Sequence, residues 1–503
     1  MRGVKTTKSR LRKQIFTEIA RLAYEGWDEQ KFVNLPYKII PGERAQYRDS
    51  IFVEREIVAE RLRAAMGLSL RKFYHYSTIR QGIDASLIDE KYYEPPLVDI
   101  IKFACNRCAE NRVFVTNACQ NCLEHPCMNI CPKQAITVRD GAAWVDEEKC
   151  VKCGLCVNVC EYHAIVRHER PCARVCGMNA IRSDEYGRAE IDPEKCVSCG
   201  MCLVSCPFGA IIDKSQIFQT ITALKSETPV YAALAPAFAG QFGSATPGQI
   251  QTAFRALGFA GVMEVAVGAD LCAVEEANEF ARRVPELQPF MATSCCPAWS
   301  VMAKKLYPEF APYISMALTP MVLTGRLLKR QHPGCKVVFV GPCAAKKLEA
   351  SRRSIRSDVD FVLTFEEFDS ILEAKEIDIA SCEEGESFRE ATGDGVGFAV
   401  SGGVAKAVEN AVRAAHPDCE VLTARAEGLP ACRKMLQLAK LGKYDGYLLE
   451  GMACPGGCVA GAGVIASVKK SADSVAKLSR TAEAQCVLES GYLDSLDLLE
   501  QGV

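Results

Sequence analysis

Short apolar runs alternate with helical patterns over the second half of the chain. From about residue 228 the runs are VYAALAP, GVMEVAVG, PFMATS, CKVVFVGP, VDFVLTF, GVGFAVSG, CEVLTARA and YDGYLLEG. Segments with apolar residues every three or four positions lie between most of them, for example PGQIQTAFRALG, ADLCAVEEANEFARRV and VAKAVENAVRAA. This alternation predicts an α/β domain with mostly parallel sheets over residues 225–503.

Cysteines follow three of these predicted strands. Cys295 and Cys296 come after PFMATS, Cys343 comes after VVFVGP, and Cys454 comes after GYLLEGMA. Sites in parallel sheets form at the carboxyl ends of strands. The pattern therefore places these cysteines where a functional site is expected.

The first half of the chain divides into two regions. Residues 1–95 contain no cysteine, and IFTEIARLAY and FVEREIVAERLRAAMG have helical spacing, so we predict a helical region without assigned chemistry. Residues 100–215 contain two similar strand–turn–strand segments, AITVRDGAAWVDEEKC and AIRSDEYGRAEIDPEKC. The flanking KCVKCGLC and KCVSCGMC are also alike. The repeat predicts an α+β domain built from ferredoxin-like halves.

Composition narrows the class of protein. The formal net charge of −2 gives no indication of nucleic-acid binding, and no apolar run is long enough to cross a bilayer. The basic start MRGVKTTKSRLRK is not followed by an apolar segment, so we expect a cytoplasmic protein without a secretory signal. Cytosolic thiols stay reduced, and the 27 cysteines occur in short-spaced groups, which favours metal ligands over disulfides.

The spacing C-x2-C-x2-C-x3-C is typical of [4Fe-4S] clusters, since three thiolates bind one cubane and the fourth binds its neighbour. Two segments match it, and a third has a longer middle gap. The matching cysteines are Cys150, Cys153, Cys156 and Cys160; Cys196, Cys199, Cys202 and Cys206; and, in the variant, Cys119, Cys122, Cys127 and Cys131.

Four further cysteines form a fourth set: Cys105, Cys108, Cys172 and Cys176. The sixteen cysteines then hold four cubanes, which indicates long-range electron transfer. A single zinc ion at this fourth set is the alternative. The motif at 150–160 exchanges ligands either with 119–131, which the short linker favours, or with 196–206.

Three motifs in the second half read TSCCPAW, GPCAAKKLE and EGMACPGGC. Together they resemble the signature motifs of [FeFe] hydrogenases, and the resemblance covers residues 105 to 463. It implies a two-lobed catalytic domain. Of the two possible ligand exchanges, it implies the one between the motifs at 150–160 and 196–206. It also implies an H-cluster, in which a cubane is joined to a two-iron unit with carbonyl, cyanide and azadithiolate ligands. The implied cubane ligands are Cys296, Cys343, Cys454 and Cys458, with Cys458 as the bridge.

The resemblance further implies reversible conversion of H2 into protons and electrons, with ferredoxin or a similar low-potential carrier and the hydrogenase maturation proteins as partners. Protons would pass through the free thiol of Cys295 and a path on one helix. Lys346 would donate to a cyanide, Met452 would pack on the two-iron unit, and Lys347 is expected to face solvent. The implied proton-path residues are Cys295, Glu276, Ser315, Glu279 and Arg283.

Several positions depart from the pattern of the best-known members. Gly341 replaces a methionine, Met321 follows Thr319-Pro320 where a glutamine is usual, and Ala237 stands where serine is frequent. These differences indicate a divergent, group B-like subgroup. The alternatives are a non-catalytic protein like the eukaryotic hydrogenase-like assembly factors, or a redox sensor or electron-transfer subunit. Catalytic direction and oligomeric state stay open.

Overall fold

The computed structural model describes residues 3–72 and 74–496. Residues 1–2, 73 and 497–503, which the predicted domain boundaries include, lie outside the described residues. No helix within the described ranges has both the length and the apolar character needed to span a bilayer.

Three helices form the N-terminal region: α1 (Thr7–Glu25), α2 (Glu29–Ile39) and α3 (Ile51–Ala65). Thr6 and Ser9 cap α1 reciprocally, each side chain accepting a hydrogen bond from the other's backbone N–H. The apolar face of α1, including Ile15 and Ile19, belongs to the same hydrophobic core as strands of the C-terminal half. The predicted helices are confirmed, and they pack on the C-terminal half.

The cysteine-rich region consists of short strands and single-turn helices. Its elements are β1 (Val98–Ile100), β2 (Arg112–Val115), α4 (Pro126–Asn129), β3 (Ile136–Arg139), β4 (Ala142–Val145), α5 (Leu155–Asn158), β5 (Ile165–His168), α6 (Pro171–Arg174), β6 (Ile181–Ser183), β7 (Ala189–Ile191), α7 (Met201–Ser205) and β8 (Ile211–Asp213). The two predicted hairpins are confirmed as the antiparallel pairs β3–β4 and β6–β7. Asp140 and Gly141 turn the first at φ of 49° and 75°, a conformation that Asp-Gly favours.

The C-terminal half contains two parallel sheets. One has four strands in the order β10-β9-β12-β13, and the other has three in the order β11-β15-β14. The mostly parallel arrangement predicted for this half is confirmed. Its elements are α8 (Ile217–Leu224), β9 (Val230–Leu234), α9 (Pro247–Ala256), β10 (Gly261–Glu264), α10 (Val265–Arg283), β11 (Met291–Ala292), α11 (Pro297–Leu306), α12 (Pro320–Gln331), β12 (Lys336–Gly341), α13 (Ala345–Glu349), β13 (Phe361–Thr364), α14 (Phe365–Ala374), α15 (Gly393–Gly397), α16 (Gly403–Ala415), β14 (Leu422–Glu427), α17 (Leu429–Ala439), β15 (Tyr447–Met452) and α18 (Val468–Arg480).

One predicted strand is wrong. GVGFAVSG begins within the helical turn α15 instead of a strand, because the Thr392 side chain caps the turn by accepting from Gly395 N–H. Gly395 also packs against α10, where an added Cβ would lie 2.1 Å from Asp270 Oδ1. A short apolar run with glycines does not distinguish a strand from a close-packed helical turn.

The expected exposure of Lys347 is also wrong, since only 1% of its side chain is accessible. Its Nζ donates to Asp213 Oδ2 at 3.2 Å and to Glu367 Oε1 at 2.8 Å. Arg12 of α1 in turn bonds Asp213 Oδ1 and Glu366 Oε2, both at 3.1 Å. This buried network joins the N-terminal helix, the cysteine-rich region and the motif that follows Cys343.

Candidate cluster sites and proton path

A single cavity lies at the carboxyl ends of β11, β12 and β15. The cysteines of all three C-terminal motifs line it: Cys295, Cys296, Cys343, Cys454 and Cys458. Each lies on the loop that follows a strand, as parallel sheets favour. Most of the remaining wall is apolar and includes Ala235, Ala237, Val265, Ala269, Met321, Phe339, Phe398 and Met452.

The chemistry of this donor set fits an iron-sulfur cluster. Burial raises the pKa of Cys343 to about 11 and that of Cys458 to about 12, and it raises the pKa of Cys454 well above its usual value. The thiols are therefore neutral in the dry cavity, and a cationic metal centre is needed to hold them as thiolates. Cys296, Cys343, Cys454 and Cys458 could supply the four ligands of a cubane.

Glycines allow the second and third motifs to approach closely. A Cβ on Gly461 would lie 2.3 Å from the carbonyl oxygen of Pro342. Gly341 avoids a steric clash within its own strand, because a Cβ there would lie 2.5 Å from Cε1 of Phe339. The Phe339 ring thus occupies the space next to position 341, where the best-known members carry methionine.

The residues expected on the proton path lie between the protein surface and the cavity. Arg283 Nη1 donates to Glu279 Oε1 at 2.7 Å, and Ser315 Oγ donates to Glu279 Oε2 at 3.0 Å. Exposure decreases along the line, from 36% for the Arg283 side chain to 11% for Glu279 and to 0% for Glu276. The structure therefore brings together the expected residues on α10 and at position 315.

Glu276 occupies the inner end of this line. Burial raises its pKa to about 7, and the Ser294 backbone N–H together with the nearby Ser315 and Ser294 hydroxyls offsets part of that effect. Ser294 N donates to Glu276 Oε1 at 2.9 Å, whereas Oε2 has no partner among the described residues. The Cys295 thiol lies next, and its pKa is raised well above its usual value by burial and by the nearby carboxylate of Glu276.

Lys346 lines the cavity, but its ammonium group has protein partners that sequence reasoning missed. Its Nζ lies 2.7 Å from Glu349 Oε2 and 3.1 Å from Thr319 Oγ1, and it also donates to the Cys295 carbonyl at 3.4 Å. The i, i+3 spacing of Lys346 and Glu349 in GPCAAKKLE was the available signal for this pair. Ser294, inside TSCCPAW, had no comparable signal, because its contact is made across the fold.

Eight of the cysteines expected in the relay line two small cavities, and these cavities group them differently from the expected fourth set. Cys176 lines a cavity with the first three cysteines of its neighbouring motif, whereas Cys206 lines another with the isolated residues. The first cavity contains Cys176, Cys196, Cys199 and Cys202, and the second contains Cys105, Cys108, Cys172 and Cys206. The zinc alternative required the thiols of Cys176 and Cys105 in one place, and they lie in two.

Among the other eight cysteines, members of one motif lie near the last cysteine of the other motif. Burial raises the pKa of Cys127, and the thiols of Cys122 and Cys160 raise it further. Burial likewise raises the pKa of Cys156 to about 11, with added effects from Cys150, Cys131 and Cys153. These proximities favour exchange between 119–131 and 150–160, the pairing that the short linker predicted, over the pairing implied by the resemblance.

Backbone amides prepare several of these thiols for a cluster. The last cysteine of three motifs accepts a hydrogen bond from the amide four residues later: Cys131 from Ala135 at 3.3 Å, and Cys160 and Cys176 from Ala164 and Ala180 at 3.4 Å. Amide donors of this kind stabilise thiolate charge and tune cluster potential. Cys199 also lines the C-terminal cavity, so one relay site adjoins it directly.

Comparison with known proteins finds matches for both the C-terminal half and the cysteine-rich region. Residues 228–462 match the model of the iron only hydrogenase large subunit, C-terminal domain, and residues 143–166 and 188–211 match 4Fe-4S binding domains. Iron hydrogenase 1 of Clostridium pasteurianum is 30% identical over 426 residues, which make up 73% of this chain and 73% of that protein. The chain belongs to the iron-only hydrogenase family.

Two further matches cover less of the chain. The cytosolic Fe-S cluster assembly factor NAR1 of Kluyveromyces lactis is 39% identical over 99 residues, or 20% of this chain and 21% of that protein. A solved structure of a variant of [FeFe]-hydrogenase HydA1 from Chlamydomonas reinhardtii aligns with a TM-score of 0.48 and 23% identity, covering 56% of this chain and 93% of that chain.

Proposed function

We propose that this member of the iron-only hydrogenase family is a cytoplasmic [FeFe] hydrogenase that catalyses reversible H2 oxidation and proton reduction. One observation carries the proposal: the Cys295 thiol lines the cysteine cavity and lies beside Glu276, the inner end of a line of polar groups that reaches the surface at Arg283. A cavity that only stored a cluster would not need a buried proton route.

In this proposal Cys296, Cys343, Cys454 and Cys458 hold the H-cluster, and Met452 packs against it. When bound, that group supplies the iron site at which H2 is split or formed. The apolar walls exclude water, and Lys346, fixed by Glu349 and Thr319, presents a cation to the cavity. Cys295 and Glu276 exchange protons with the cavity, and Ser315, Glu279 and Arg283 carry them to solvent.

Four [4Fe-4S] clusters would carry the electrons. The ligand sets we propose are Cys119, Cys122, Cys127 and Cys160; Cys150, Cys153, Cys156 and Cys131; Cys105, Cys108, Cys172 and Cys206; and Cys196, Cys199, Cys202 and Cys176. Ferredoxin or a similar low-potential carrier would exchange electrons with this relay, and the maturation proteins would install the two-iron unit. The two parallel sheets would form two lobes around the cavity.

An infrared spectrum tests the function. We expect carbonyl and cyanide bands after anaerobic expression with the hydrogenase maturation proteins, together with H2-dependent reduction of a dye. A spectrum without carbonyl and cyanide bands, recorded on protein that carries its full complement of [4Fe-4S] clusters, would refute the proposed hydrogenase function.

A second candidate is a non-catalytic iron-sulfur assembly protein. The match to the assembly factor NAR1 favours it, although that match spans about a fifth of each chain. The two candidates differ in the need for a proton route, because a cluster carrier moves no protons through its core. Cluster content with no infrared bands and no H2 turnover would support the assembly role.

A further inference from the structure

A second cavity, here called the arginine cavity, is polar and open to solvent and lies between the cysteine-rich region and helix α17. Its volume is about 500 Å³. Five guanidinium groups and two carboxylates line it, which leaves an excess of three positive charges on a chain whose net charge is −2. The lining charged residues are Arg167, Arg170, Arg174, Arg182, Arg433, Glu110 and Glu169.

Three of these arginines already have partners within the chain. Arg167 pairs with Glu169, and Arg182 lies 3.1 Å from Glu190. Arg170 is buried and donates to backbone carbonyls, including that of Gly187 at 2.9 Å. Its charge adds to the positive potential of the cavity, although its N–H groups already have hydrogen-bond partners within the chain. These arginines shape the cavity wall.

Arg174 and Arg433 carry positive charge that is not neutralised. Arg174 is exposed on α6, and Arg433 is half-buried on α17. Neither makes an ion pair with any of the residues that the structure describes. Each guanidinium can therefore donate two parallel N–H hydrogen bonds to a carboxylate of another molecule.

The floor of this cavity reaches a relay site. Cys176 lines the arginine cavity and also the small cavity formed with Cys196, Cys199 and Cys202. Cys199 in turn lines the C-terminal cavity that contains Cys454. A single cubane would thus separate this surface from the proposed catalytic site.

The cavity is held in shape by close packing between the two regions. A Cβ on Gly177 would lie 2.5 Å from Cβ of Leu429, so Gly177 sets the distance between Cys176 and the start of α17. The arginines of α6 and of α17 therefore keep a fixed relation without a ligand. A preformed charged surface of this kind favours fast association with an oppositely charged partner.

We propose that the arginine cavity is the docking site of a small acidic electron-carrier protein, which exchanges electrons directly with the cubane held by Cys176. One electron passes from the reduced carrier to this cubane or back, with no bond made and no proton moved. The inference rests on the proposed function for the relay, and it adds a place of electron exchange that bypasses the clusters at 119–160.

Binding of an acidic [2Fe-2S] ferredoxin to the cluster-loaded chain, without the two-iron unit, tests the proposal by isothermal titration calorimetry. We expect Arg174→Glu and Arg433→Glu each to raise the Kd about tenfold at low salt, and Arg433→Lys to change it less than about threefold. Raising the salt concentration should weaken wild-type binding and reduce the difference between variants, since added ions screen the charges.

Two matched charge reversals give the controls. Lys434→Glu lies next to Arg433 on α17 but does not line the cavity, so we expect a Kd within about threefold of wild type. The second control is Lys133→Glu, beside the 119–131 motif. A larger loss of carrier binding in this variant than in the arginine variants would place docking at those clusters and overturn the proposal. Unchanged binding in both arginine variants, or binding of inorganic phosphate without any carrier binding, would also overturn it. Because the test needs no H2 turnover, its outcome is independent of the infrared result.

Discussion

Cys295 is the residue that we propose to pass protons to the cavity, since its thiol lines the cavity wall and lies beside the carboxyl group of Glu276. We expect Cys295→Ala to keep the carbonyl and cyanide bands and to lose most H2 turnover, because the cluster ligands remain while the proton route loses its inner member. Infrared spectra and turnover on the same sample check this. Cys335→Ala, a buried cysteine of the four-stranded-sheet region, should keep both, and wild-type turnover in Cys295→Ala would show that protons take another route.

Glu276 gives a prediction about pH. Its pKa is about 7 in the folded protein against an ordinary value of 4.5. Below pH 4.5 the group is neutral in both states, so it costs nothing. As pH rises towards 7 the unfolded chain ionises first, and the folded state loses up to about 3 kcal/mol of stability from this group.

Replacing Glu276 by glutamine removes that loss. We therefore expect Glu276→Gln to gain stability relative to wild type as pH rises from about 5 to about 8, while losing H2 turnover at every pH. Apparent melting temperatures of cluster-loaded protein, scanned at one rate, measure the difference. A gap between variant and wild type that does not change with pH would mean that Glu276 has an ordinary pKa.

At the scale of elements, the buried ion pairs of Lys347 fix helix α13 beside the loop of Cys343. Replacing Lys347 by methionine would leave the buried carboxylate of Glu367 without its ion-pair partner and would leave Asp213 with Arg12 alone. We expect a loss of about 3–5 kcal/mol in unfolding free energy and fewer iron atoms per chain. Denaturation followed by circular dichroism measures the first, with the exposed Lys434→Met as control, and a loss below about 1 kcal/mol would contradict the prediction.

The same elements show what a sequence can predict. The alternation of strands and helices identified β9, β12, β13 and β15, because buried parallel strands are continuous apolar runs. It also identified β14, although most of that strand is exposed at the edge of its sheet. The alternation failed at α15, where close packing of Gly395 on Asp270 accompanies a helical turn instead of a strand. The expected exposure of Lys347 failed because its partners, Asp213 on β8 and Glu367 on α14, come from other elements of the fold. Motifs place the cysteines of the site, but contacts such as Ser294 with Glu276 depend on how distant segments meet.

At the scale of the whole molecule, the four proposed cluster sites would form two exchanging pairs, so that a single motif would not define a single cluster. In each motif the fourth cysteine lies beyond a short helix and joins the neighbouring set, as Cys206 joins Cys172 and Cys176 joins Cys199. In the proposed relay, such exchange would make each pair of clusters one folding unit, since neither cubane would be complete without the other motif.

This exchange predicts which cluster each substitution removes. Cys206→Ser should perturb the cubane of Cys105, Cys108 and Cys172, which lies away from the catalytic cavity, and leave the cubane of Cys199 in place. Cys176→Ser should perturb the cubane next to the cavity and so interrupt electron flow more severely. Electron paramagnetic resonance of the reduced proteins, with iron and sulfide analysis, distinguishes the two losses. The prediction would be contradicted if Cys206→Ser and Cys199→Ser altered the same signal. The motif at 196–206 would then hold its own cubane, and the clusters would follow the order of the motifs in the sequence.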